Sequence, residues 1–181
     1  MAAGKSTVAQ ALAERLPRAA HVRGDLFRRM IVSGRVDYEP AAEEAQGGEG
    51  EAQLRLRYRL PAGGGDGDAY AQAGFTAVVE DVVLGADLAA YVRLVRTRPL
   101  YVVVLAPSAA AVATREAGRA KTGYGTGQGA WRVEELDGVL RAETPRIRLW
   151  VDSSELTVGG DRGGDSDGAG TREGGLSVLP M

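Results

Sequence analysis

Residues 100–105, LYVVVL, are six consecutive apolar positions. A run this short and unbroken reads as a β-strand, and the absence of polar alternation suits a parallel strand covered on both faces. Such a strand needs helices on either side of its sheet, so the fold is expected to be layered α/β.

The rest of the chain agrees with that demand. Residues 5–16 read as a helix, with Val8, Leu12 and Leu16 on one face and Pro17 ending it. A short strand is expected over 19–23 and a helix over 26–33, with Asp25 able to cap it and Gly34 closing it. Residues 37–50 are acidic and Gly-rich, which suits a mobile loop. Residues 51–60 alternate like a strand, but their place between βα units favours a helix. Pro61 and Gly63–Gly65 break the chain, and a helical turn is expected to resume over 68–73. Strands follow over 75–79 and 147–151, and helices over 86–97, 108–120 (with Ser108 as N-cap) and 131–143. Strand alternating with helix predicts a three-layer α/β/α fold around a parallel sheet, in one domain over residues 1–158. Eight of residues 159–175 are Gly and six are charged, so 159–181 is expected to be a disordered tail.

Composition excludes several functions. The chain has no Cys, which removes disulfides and thiolate chemistry, and one His, which removes any two-histidine metal site. A net charge of -2 gives no reason to expect nucleic acid. No apolar run reaches the ~18 residues that span a bilayer. A cytoplasmic protein is expected.

Gly4-Lys5-Ser6-Thr7 leads directly into the first helix. This matches the end of the phosphate-loop pattern G-x-x-x-x-G-K-[ST]. Backbone N–H groups at a helix start, with the positive end of its dipole, suit phosphate oxygens. The Ala3–Thr7 backbone would line the phosphates, Lys5 would reach the β- and γ-phosphates of ATP, and the Ser6 hydroxyl would hold Mg²⁺.

Four segments, AAGKSTVAQAL, HVRGDLFRR, VVEDVVLG and VLAPSAAAVATREAGRAKTGYG, together resemble the chloramphenicol phosphotransferase-like P-loop kinases across roughly residues 2–125. The resemblance implies a P-loop kinase fold and transfer of the γ-phosphate of ATP to a hydroxyl of a small molecule such as an antibiotic. It makes Asp25 the group that orients and deprotonates that hydroxyl. It places an acidic pair, Glu80 and Asp81, at the third strand's end, with Asp81 as the Mg²⁺ contact and Glu80 as the alternative. It makes Arg115 and Arg119 lid groups on the transferred phosphoryl, and it puts Ser154, by position, near the adenine. His21, Trp131 and Trp150 are read as structural.

Three departures from the family stand out. The strand that feeds the phosphate loop and the loop's first glycine are missing before Met1, which is expected to leave a gap in the sheet. The stretch PAGGGDG at 61–67 interrupts a helix, and the final amphipathic helix is missing. Two other functions fit the same motifs: a zeta-toxin-like kinase of an activated sugar, and a nucleotide-binding remnant without catalysis.

Overall fold

A computed structural model describes residues 2–35, 53, 56, 58–61, 65–118 and 132–156. The expected loop at 37–50, the expected tail at 159–181, and residues 119–131 with Arg119 and Trp131 lie outside these residues. In chain order the elements are α1 (Lys5–Arg15), β1 (Ala19–Arg23), α2 (Gly24–Arg29), α3 (Asp66–Gln72), β2 (Thr76–Glu80), α4 (Asp87–Leu94), β3 (Val103–Leu105), α5 (Ala109–Ala117), α6 (Val133–Ala142) and β4 (Leu149–Val151). The fold is mixed α/β with short parallel strands.

Local chemistry explains the boundaries. Gly4 precedes α1 with φ 86°, a left-handed conformation open to glycine. Leu16 is extended at the other end, as the residue before a proline must be. Ser108 caps α5 as expected, its hydroxyl accepting from the Ala111 amide at 3.2 Å. Gln53, Leu56, Tyr58 and Arg59 are helical, so the helix expected from context prevails over the alternating period.

Pro61 and residues 65–67 form a packed corner. The Asp66 and Gly67 amides donate to the carbonyls of Leu60 and Pro61 at 2.9 and 3.0 Å. A Cβ on Gly67 would stand 2.5 Å from the Pro61 carbonyl oxygen and 3.1 Å from a Val79 methyl on β2. Glycine is what lets α3 dock against that strand. One residue on, Asp68 is 1% exposed and accepts from the Thr97 hydroxyl at 2.7 Å, the Thr97 amide at 2.9 Å and the Arg96 amide at 3.3 Å. A carboxylate so enclosed needs such donors.

One continuous sheet is not observed. β1 pairs with β2 from Ala19↔Thr76 to Arg23↔Glu80, and β3 pairs with β4 from Val103↔Leu149 to Leu105↔Val151. Among the described residues no ladder joins β2 to β3. Helix α1 packs on β1 and β2 and buries Ala9, while α5 and α6 pack on each other and bury Val112 and Leu136. The apolar run at 100–105 is covered on one face, not two. Tyr101 is 71% exposed, and Val103 and its register partner Leu149 are 46% and 47% exposed. Only 103–105 of that run is strand. No described helix is long and apolar enough to cross a membrane.

Candidate functional site

Parallel β1 and β2 end together, so Arg23 and Glu80 face the same edge as the start of α1. No side chain caps α1, and its first turn carries no acidic residue. Ser6 in that turn donates its hydroxyl to Glu80 Oε1 at 2.7 Å, across 74 residues of chain. The same oxygen lies 3.6 Å from Arg23 Nε and 4.0 Å from His21 Nε2. Three side chains from two elements, α1 and β1, therefore converge on one carboxylate oxygen of β2.

Asp25 is the next neighbour. It does not cap α2, whose N-cap is Arg23 with no side-chain bond. Its Oδ2 takes the Arg29 guanidinium at 2.7 Å and Arg23 NH2 at 3.4 Å. Its Oδ1 is buried and has no hydrogen-bond partner among the described residues.

Glu80 and Asp81 point to opposite sides, as consecutive residues of an extended chain do. Glu80 meets Ser6, while Asp81 lies over Gly24, the first residue of α2, with Oδ1 accepting from the Val82 amide at 2.7 Å. A Cβ on Gly24 would fall 2.2 Å from Asp81 Oδ2. Glycine is what permits this approach, and a carboxylate there suits the positive end of α2.

The structure thus brings Ser6, Asp25, Glu80 and the α1 start to one edge, with Lys5 beside Ser6 on the first turn. Arg115 and Ser154 meet each other elsewhere. Arg115 NH2 donates to the carbonyls of Ser153 and Ser154 at 2.6 and 2.8 Å, and the Ser154 hydroxyl accepts from the Ser108 amide at 2.8 Å. Hydrogen bonds from the Ser154 hydroxyl and amide, with the Arg141 charge adding to them, hold the Asp152 carboxyl below its ordinary 3.8. Arg141 NH2 reaches the Pro107 carbonyl at 3.0 Å. This second cluster ties the ends of β3 and β4 to α5 and α6.

His21, read as structural, also reaches this edge. Its partners come from α1 and β2, and no local signal marks it. Among the described residues, no group of three or more His, Asp or Glu could hold a metal ion by itself. The chain matches no family model and no curated protein.

Proposed function

We propose that the chain is a phosphotransferase that moves the γ-phosphate of ATP to a hydroxyl of a small molecule. The contact between the Ser6 hydroxyl and Glu80 carries this reading, because it sets a hard oxygen pair against an uncapped helix start that also bears Lys5. The split between β2 and β3 suits a fold of this kind, in which a further strand lies mid-sheet.

The residues fit Mg²⁺. Ser6 Oγ and Glu80 Oε1 are 2.7 Å apart, close to the ~2.9 Å edge of an octahedron with ~2.1 Å bonds. Glu80 thus takes the place expected of Asp81. A site with two protein oxygens also agrees with an ion that keeps its waters and phosphate ligands. When bound, the ion neutralises charge on the phosphates.

The protein's own groups have separable roles. The amides opening α1 and the Lys5 ammonium bind phosphate oxygens. Asp25 Oδ1 accepts the proton of the acceptor hydroxyl as that oxygen bonds to phosphorus and the bridging oxygen leaves with ADP. Arg23 and Arg29 hold the Asp25 carboxylate in place through Oδ2.

Titration calorimetry of the full chain with ATP and Mg²⁺, followed by an alcohol-phosphorylation screen, tests the proposal. Binding together with turnover that disappears in Asp25→Asn is the expected result. No heat with any nucleoside triphosphate refutes it. A second reading, binding without transfer, draws on the 2.7 Å hold of Arg29 on Asp25. It predicts heat of binding with no phosphorylated product from any acceptor.

A further inference from the structure

Arg23 ends β1 in register with Glu80, and Asp25 follows two residues later in the first turn of α2. The guanidinium lies between the two carboxylates. Its Nε is 3.6 Å from Glu80 Oε1, and its NH2 is 3.4 Å from Asp25 Oδ2. Charge-assisted N–H···O bonds close to ~2.7–2.9 Å, so Arg23 closes on neither. Each carboxylate has a nearer partner: Glu80 Oε1 takes the Ser6 hydroxyl at 2.7 Å, and Asp25 Oδ2 takes Arg29 NH2 at 2.7 Å. The Arg23 Nε hydrogen is unspent among the described residues. A guanidinium carries its N–H donors in one rigid fork, and here the fold asks little of them. The Arg23 and Asp25 side chains are 40% and 36% exposed, so solvent reaches both.

Contacts of 2.7, 3.6 and 3.4 Å run in order from Ser6 through Glu80 and Arg23 to Asp25. On the phosphotransfer reading, ATP sits at the Ser6 end of this chain and the acceptor hydroxyl at the Asp25 end. The phosphoryl group crosses the interval, and Arg23 stands in the middle of it. Such transfer is catalysed largely by cations fixed where charge spreads over the phosphoryl oxygens. Arg115, the lid group implied by the family resemblance, is held at the other edge by the Ser153 and Ser154 carbonyls at 2.6 and 2.8 Å.

We propose that Arg23 is a catalytic residue that binds the phosphoryl group during transfer, an inference that rests on the phosphotransfer reading. As the acceptor oxygen bonds to phosphorus, its proton goes to Asp25. The bond from phosphorus to the bridging oxygen breaks, and its electron pair leaves on ADP. Arg23 donates N–H bonds to the non-bridging oxygens and keeps its own protons. Its contact is closest while the group is between the two oxygens, so it favours the transition state over bound ATP. Arg29, the nearer of the two partners of Asp25, keeps that carboxylate in place meanwhile.

Calorimetry of the full chain in Mg²⁺ buffer compares two ligands. One is ATP. The other is ADP with aluminium fluoride, which mimics the phosphoryl group in flight with water in the acceptor's place. The native chain should bind both. Arg23→Gln should weaken the fluoroaluminate complex about a hundredfold. It should weaken ATP by less than about threefold, because the interaction belongs to the transition state. Arg23→Lys keeps the charge and loses the fork, so its fluoroaluminate affinity should fall between the two. That variant carries the test if Arg23→Gln does not fold. Equal losses for the two ligands, or no loss for either, overturn the proposal and leave Arg23 as a support for Glu80 and Asp25. A native chain that binds ATP but not the fluoroaluminate complex also overturns it, and spares the phosphotransfer reading. A native chain that binds neither nucleotide sinks both.

Discussion

The ends of β1 and β2 and the ends of β3 and β4 are built from the same parts, yet they treat charge in opposite ways. At the β3–β4 end, charged side chains are satisfied largely by backbone: Arg115 by two carbonyls, Arg141 by the Pro107 carbonyl as well as Asp137, and Asp152 by Ser154. At the β1–β2 end, charged side chains meet one another, Arg23 reaching both Asp25 and Glu80, while buried atoms without a hydrogen-bond partner occur at both ends: His21 Nε2, Arg23 Nε and Asp25 Oδ1 here, Trp150 Nε1 and Ser153 Oγ there. Backbone partners fix a side chain to the fold and leave it little capacity for a ligand. Side chains paired incompletely among themselves keep capacity for one. On the phosphotransfer proposed above, the first edge carries the chemistry and the second holds the fold together.

Arg115→Ala should have the largest effect on stability, about 2–4 kcal/mol, because two carbonyls lose a charged donor. Urea unfolding measures it. If the variant instead unfolds like the native chain but loses phosphoryl transfer, Arg115 acts on substrate and the contrast between the edges fails. Gly24→Ala should cost about 1–3 kcal/mol through overpacking against Asp81. A thermal midpoint equal to the native one would mean that Asp81 does not lie where the structure puts it.

Glu80→Gln sharpens the contrast from the other side. The amide oxygen still accepts from Ser6, but the buried charge partner of Arg23 is lost, so stability should fall by about 1–3 kcal/mol. Affinity for ATP should fall about tenfold with Mg²⁺ present and stay unchanged without it, as calorimetry would show. The smallest effect belongs to Asp152. Its folded pKa is depressed, so its contribution is present above the ordinary 3.8 and disappears as the pH falls through the folded value. Acid unfolding of Asp152→Asn should lack that small segment of pH dependence while matching the native chain near neutrality.

Much of the local structure was legible in the residues. Ser108 before an alanine-rich helix announced a cap. Other features needed a third dimension. The alternation of Leu54, Leu56, Tyr58 and Leu60 suggested a strand. The Leu60 amide nevertheless bonds the Leu56 carbonyl in a helical turn, and Tyr58 packs edge-on against Tyr91 of α4 at 5.5 Å. Tertiary contact outweighed period there. The choice between Glu80 and Asp81 was illegible because it depends on which way the strand's pleat faces α1. The surroundings of His21 were illegible because Gln10 and Glu80 reach it from distant parts of the chain. Gly67 was read as part of an interruption, and its need became visible only with Val79 and Pro61 in place.

Asp68 has a mechanical meaning beyond its burial. It grips the Arg96 and Thr97 amides from α3, while Thr144 Oγ1 receives the Gly85 amide at 2.7 Å. Among the described residues these grips cross between the two half-sheets where no ladder does. A carboxylate holding two amides works as a rivet between α3 and the chain that leads to β3, and Thr144 pins the turn after β2 in the same manner.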